Sequence, residues 1–243
     1  MSNIGKIVVV GLGYVGLPLA VALARKFEVI GFDVDSNRIA QLRAGHDRTR
    51  EIDGEELKRT RLELTDSVED CRGAGIYIVT VPTPVDDRNQ PDLSAVLSAT
   101  RMIAEVIDPA RRPTIVYEST VYPGVTEEIC GAELERAGHL QRGRDFRLGY
   151  SPERINPGDR THSIDKITKV IAAEDSEVLE QLADMYGAIT SGGVEITAND
   201  PMLPALSNRN WPISFSITTA DCVFAISPPS PSNTVSPPES SPI

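Results

Sequence analysis

Polar and apolar positions along this chain alternate between two periods. Ile7–Val10 is a β-branched run with no polar member, as a strand covered on both faces requires. Val15 to Phe27 follows as an apolar stretch of helical length without an acidic residue, and Glu28 to Phe32 returns to strand character. The exchange repeats downstream. Ile76 to Val81 and Thr114 to Glu118 read as buried strands and Leu62 to Thr65 as a half-buried one; Phe146 to Tyr150, Lys169 to Ala173 and Val194 to Thr197 supply three more. Helices are predicted from Ser36 to about Ala44, over Glu55 to Arg59, from Asp92 to Ile107, from Val125 to Gly138 and from Ser176 to Tyr186. Ser36 is expected to cap the first of these, with Arg38, Gln41 and Arg43 on its polar side. Strand and helix alternating throughout predict an α/β fold, a Rossmann-type doubly wound and mostly parallel sheet over residues 1–197.

The alternation stops near Ala198. Residues 201–243 carry only Arg209, Asp221 and Glu239 as charges, and from Ser227 onward the chain is mainly Pro and Ser. Such a segment is too poor in apolar residues to offset its ordering entropy. Residues 198–243 are therefore expected to be a disordered or non-native tail, either linker-like or the product of a lost reading frame.

Bulk properties narrow the function. A chain of 243 residues with 40% hydrophobic content holds one large domain, or one domain and a fragment of another. A net charge of −11 argues against non-specific binding to nucleic acid or an anionic membrane. It does not exclude phosphate ligands, which backbone amides bind without side-chain charge. No secretory signal pattern or membrane-length apolar stretch is visible, because glycines interrupt the run after Lys6. Cys71, Cys130 and Cys222 are widely spaced and lack C-x-x-C pairing, which fits a reducing cytoplasm. His46, His139 and His162 show no metal-ligand spacing.

The chemistry begins at Gly11-Leu12-Gly13-Tyr14-Val15-Gly16, set between the first strand and the first helix. Gly11 permits the tight turn, Gly13 lets a pyrophosphate approach the backbone, and Gly16 allows helix and strand to pack closely. Tyr14 and Val15 lie at the helix N-terminus, where unpaired N–H groups and the dipole favour phosphate. Asp33 closes the second strand 22 positions after Gly11. Its carboxylate can accept both ribose hydroxyls of an adenosine and would repel a 2′-phosphate, which favours NAD over NADP. Arg38 joins this cofactor-binding group. The plain alternative is a glycine turn that holds no ligand.

Four ordered motifs, GLGYVGLP (11–18), VTVPTP (79–84), ESTVYPG (118–124) and GYSPERINPGD (149–159), together resemble the UDP-glucose/GDP-mannose dehydrogenase family over about residues 5–197. The last two look most like the branch that oxidises UDP-N-acetylhexosamines to uronic acids for surface polysaccharides. That resemblance implies NAD as cofactor and oxidation of the sugar C6 with two NAD+ through a cysteine thiohemiacetal and thioester. It assigns Gly11, Gly13, Gly16 and Asp33 to the dinucleotide, and Thr83 and Thr120 to the nicotinamide side. Glu153, with Thr120, would handle a catalytic water as general base; from the residues alone, Glu153 can equally pair with Arg154 or cap its loop. Arg154 and Asn156 sit where family loops approach a UDP-sugar.

Other family features have no counterpart in this sequence. These are the lysine and asparagine of a long central helix, the nucleophilic cysteine in a G-x-C-x-x-K-D setting, and the UDP-binding domain. Cys222, in Thr-Ala-Asp-Cys-Val-Phe-Ala-Ile, lacks that setting. The family homodimer is built on the same central helix. Two functions are therefore carried forward: the N-terminal part of an NAD-dependent nucleotide-sugar dehydrogenase, or a truncated NAD-binding module without catalysis.

Overall fold

The computed structural model describes residues 4–85, 91–152 and 166–196. Eight strands run in the order β3-β2-β1-β4-β5-β6-β7-β8. They are β1 Ile7–Val10, β2 Val29–Phe32, β3 Glu63–Thr65, β4 Ile76–Val79, β5 Thr114–Tyr117, β6 Arg147–Tyr150, β7 Lys169–Ala173 and β8 Val194–Ile196. From β3 to β6 every neighbouring pair is parallel. β7 runs antiparallel to β6, and β8 follows β7 in parallel. The mostly parallel, doubly wound sheet is thus the expected one, with a reversed flank that period-2 patterning cannot reveal.

Residues of β1, β2, β4 and β5 are buried along their whole length, as continuous apolar strands should be when helices cover both faces. Successive side chains point to opposite faces. Ile7, Val9, Ile76 and Ile78 join one core cluster with α1 (Gly16–Ala24) and α6 (Ser176–Gly187). Val8, Val10, Tyr77 and Val79 join the other, with α4 (Ser94–Val106) and α5 (Ala132–Gly138).

Element boundaries differ from expectation where caps and turns decide them. α1 ends at Ala24, short of Phe27, where Arg25 N and Lys26 N tighten to bonds three residues back, onto the Ala22 and Leu23 carbonyls, before β2 starts. α2 (Ser36–Arg43) is capped by Asp35, one residue before the expected Ser36; the Asp35 carboxylate accepts from Asn37 N at 3.0 Å. α3 spans Gly54–Arg59. The expected helix from Val125 starts as a π-helical stretch, Val125–Gly131, before α5, a distinction apolar spacing does not register. The expected boundary at residue 197/198 lies outside the described residues.

Candidate functional site

In this strand order the connections leave in opposite directions from β1 and β4, so the ligand edge of the sheet is at their C-terminal ends. The glycine loop leaves β1 there, Thr80–Pro84 leaves β4, Ser119–Gly124 leaves β5, and Ser151-Pro152 leaves β6. Of the five exposed large apolar residues among the described ones, three follow these ends, Tyr14, Val85 and Tyr122, and Val34 follows the C-terminal end of β2. A concavity of about 640 Å³ occupies the opposite edge, lined in part by Lys6, Glu28, Arg72 and Arg111. Its cations are already engaged: Lys6 Nζ donates to the Asp70 and Arg72 carbonyls, and Arg72 pairs with Glu69. The crossover edge therefore remains the candidate.

Each glycine of the loop meets its own demand. Gly11 has φ +96°, a conformation that side chains disfavour. A Cβ on Gly16 would lie 1.9 Å from the Gly11 carbonyl oxygen and 2.3 Å from Thr80 Oγ1, so only glycine fits. A Cβ on Gly13 would meet nothing within 4 Å, which leaves the open approach a phosphate needs. Thr80 Oγ1 donates to the Gly11 carbonyl at 2.7 Å and ties the loop to β4.

Asp33 faces the loop. Its Oδ2 accepts from Leu12 N at 2.8 Å and its Oδ1 from Asp35 N at 3.0 Å, which fixes the carboxylate at the end of β2. Val34, beside it, is 86% exposed. Arg38 departs from expectation: it is 1% exposed and buried against the loop, not on a solvent face. Its Nε donates to the Leu12 carbonyl at 2.9 Å and its Nη2 pairs with Asp47 Oδ1 at 2.7 Å. Burial alone would raise the Asp47 carboxyl. The Thr49 hydroxyl and amide, the Ile52 amide and Arg38 outweigh that and hold it below its usual range.

The other two turns are stitched together. Thr83 Oγ1 donates to the Thr120 carbonyl at 2.7 Å, and Ser119 Oγ to the Val81 carbonyl at 2.6 Å. Thr83 and Thr120 thus meet at the ligand edge, as a shared site requires. Behind Ser119 the Glu118 carboxylate is buried with Lys169 Nζ at 2.8 Å and Tyr186 OH at 2.5 Å. Glu153, Arg154 and Asn156 lie outside the described residues, as does Cys222. The two described cysteines are buried thiols: burial pushes Cys71 up to about 12 and Cys130 to about 11. Neither supplies a thiolate at neutral pH.

Sequence reading missed Thr80 and Asp47. Thr80 sits 69 residues from the carbonyl it holds, a pairing no local pattern announces. Arg38 left a trace, since it falls four positions before the buried Leu42 and beside the buried Ile39, on the core face of α2.

Residues 5–190 match the NAD binding domain of the UDP-glucose/GDP-mannose dehydrogenase family. Among curated proteins, the protein CapL of Staphylococcus aureus is 50% identical over 188 residues, covering 77% of this chain and 44% of CapL. A UDP-N-acetyl-D-glucosamine 6-dehydrogenase of Pseudomonas aeruginosa is 46% identical over 189 residues, with the same two coverages, 77% and 44%. The solved structure of a UDP-D-ManNAc dehydrogenase from Pyrococcus horikoshii superposes with a TM-score of 0.71 at 33% identity, covering 81% of this chain and 47% of that one. The chain spans less than half the length of these relatives.

Proposed function

The chain belongs to the UDP-glucose/GDP-mannose dehydrogenase family through its NAD-binding domain, and from that premise we propose that it is the cofactor-holding part of an NAD-dependent UDP-N-acetylhexosamine 6-dehydrogenase. The observation that carries this reading is the glycine loop: closed by Gly16 against Gly11, open beside Gly13, and faced by Asp33. In it, Gly11, Gly13, Tyr14, Val15 and Gly16 hold the diphosphate, Asp33 accepts from the adenosine ribose, and Thr83 and Thr120 border the nicotinamide. NAD+ supplies the hydride acceptor when bound. The chain's own residues orient it: the negative Asp33 discriminates against a 2′-phosphate, and the Thr83–Thr120 bond holds two turns in one position at the reacting end.

The substrate class is inferred from the relatives' names, a UDP-N-acetyl-D-glucosamine dehydrogenase and a UDP-D-ManNAc dehydrogenase. Glu153 as general base with Thr120, and Arg154 and Asn156 as substrate contacts, belong to the same reading. So do polysaccharide biosynthesis, a cytoplasmic location and a family homodimer. No helix of the described residues is long and apolar enough to cross a membrane.

A second reading, an NAD-binding module without turnover, is favoured by the cysteines, because both described thiols are buried and burial pushes them up to about 12 and about 11. NADH formation from NAD+ with UDP-N-acetylglucosamine or UDP-N-acetylmannosamine separates the two. Turnover on either sugar, above that on UDP-glucose, establishes the dehydrogenase. NAD+ binding without NADH formation establishes the binding module for this chain. Turnover with UDP-glucose alone overturns the proposed substrate class.

A further inference from the structure

We propose that Asp47 is a positioning residue for the dinucleotide site, acting through Arg38 on the backbone of Leu12; the inference rests on NAD+ binding at the glycine loop. Leu12 is the residue between the first two glycines, and side chains take both of its backbone groups. Asp33 Oδ2 receives its amide at 2.8 Å, and Arg38 Nε donates to its carbonyl at 2.9 Å. A peptide unit is planar and trans, so its C=O and N–H point in opposite directions. Holding the Leu12 carbonyl on the buried guanidinium therefore turns the Gly13 N–H away from the core, toward the exposed side of the loop. That amide belongs to the glycine beside which the structure leaves open space. The direction of a phosphate-binding donor is thus set by a buried arginine.

Arg38 can perform this only if it is itself fixed. Its side chain is 1% exposed, so its bonding partners are protein groups packed around it. Nη2 is anchored by Asp47 Oδ1 at 2.7 Å and lies 3.4 Å from Thr49 Oγ1; Nη1 is buried without a partner. Asp47 is in turn held in a cage of donors. Its Oδ1 accepts from Thr49 N at 3.0 Å and Thr49 Oγ1 at 2.7 Å, and its Oδ2 from Glu51 N at 2.8 Å and Ile52 N at 3.0 Å. The caged carboxylate orients the guanidinium and the guanidinium orients the peptide. A loop set before the ligand arrives spends less binding energy on ordering.

The test uses the whole chain, with calorimetric titrations of NAD+, of ADP-ribose (which keeps the diphosphate) and of adenosine (which lacks it). Thermal unfolding serves as the folding control. Asp47→Asn should weaken NAD+ and ADP-ribose alike by about tenfold, the scale of one lost hydrogen bond, and adenosine by no more than about twofold. Arg38→Gln should do the same, and adding Asp47→Asn to it should cost nothing further, because the two act in series. Unchanged or tighter NAD+ binding by a folded Asp47→Asn chain overturns the proposal. So does an equal loss for adenosine, or additive losses in the double variant. If Asp47→Asn does not fold, Arg38→Lys carries the test, since it keeps the buried charge and gives up the bond to Leu12. If neither folds, the pair is structural and the proposal falls. An unsubstituted chain that binds neither NAD+ nor ADP-ribose is a different result: it removes the NAD reading first.

Discussion

Arg38–Asp47 and Glu118–Lys169 are two ion pairs whose side chains are at most 1% exposed, at two places along one sheet. Around the first, the charges end mostly on backbone: the Leu12 carbonyl on one side, the amides of residues 49, 51 and 52 on the other, with the Thr49 hydroxyl beside them. Around the second, side chains carried by different elements meet. Glu118 follows β5, Lys169 opens β7, and Tyr186 lies in α6, with Lys169 Nζ 5.2 Å from the Tyr186 ring centroid. Both pairs cost desolvation. The difference lies in what that cost secures: the direction of a loop peptide in one case, the attachment of the reversed flank in the other.

The largest effect should come from the flank. Glu118→Ala leaves Lys169 buried without its carboxylate, and a loss of about 3–5 kcal/mol in unfolding free energy by urea titration is expected. A loss under about 1 kcal/mol would break the comparison, because the pair would not be holding β7. Next comes Gly16→Ala in the loop, where the new methyl lands on the Gly11 oxygen and Thr80. The expected cost is about 1–3 kcal/mol in stability, with at least tenfold weaker NAD+ binding by calorimetry. Wild-type affinity in that variant would mean the loop adapts, and that its rigidity does not matter.

The smallest effects are in pH dependence, where two buried carboxylates should move oppositely. Asp47 is held below its usual range, so its contribution is present above about pH 3.8 and is lost as pH falls through its lower folded value. Glu127, in the π-helical stretch, is raised by burial. The fold favours its neutral form, so its contribution is present below about pH 4.5 and is lost as pH rises through its folded value. Glu127→Gln should therefore raise the melting midpoint at pH 7 by about 1–3 °C and leave it unchanged near pH 4. A fall at pH 7 would reverse the sign assigned to its burial.

The two regions also differ in how far they can be read from residue order. The loop announces itself because its requirements are local: β-branched strand, glycines, apolar helix and Asp33 follow one another within a single βαβ unit. The clamps on that loop are not local. Asp47 and Thr80 act on it from well outside the motif, and both belong to residue types common in turns. Arg38 reads as surface because arginine usually is, although its helical position beside Ile39 and Leu42 places it on the core face. On the flank, alternating hydrophobicity finds β7 and β8 but carries no strand direction, so the reversal of β7 against β6 is invisible. Glu118 lies inside a motif that draws attention to Ser119 and Thr120, while its partners come from 51 and 68 residues away.

The central claim is that this chain holds a preformed NAD site at the β1–β4 crossover. Its most direct test is calorimetric titration of residues 1–243 with NAD+ and, separately, NADP+, repeated with Asp33→Ala. Saturable NAD+ binding is expected, with NADP+ at least tenfold weaker and that preference lost in Asp33→Ala, since one carboxylate both receives the ribose and repels a 2′-phosphate. Equal affinity for the two cofactors in the unsubstituted chain, or no binding of either by a folded protein, would contradict the account.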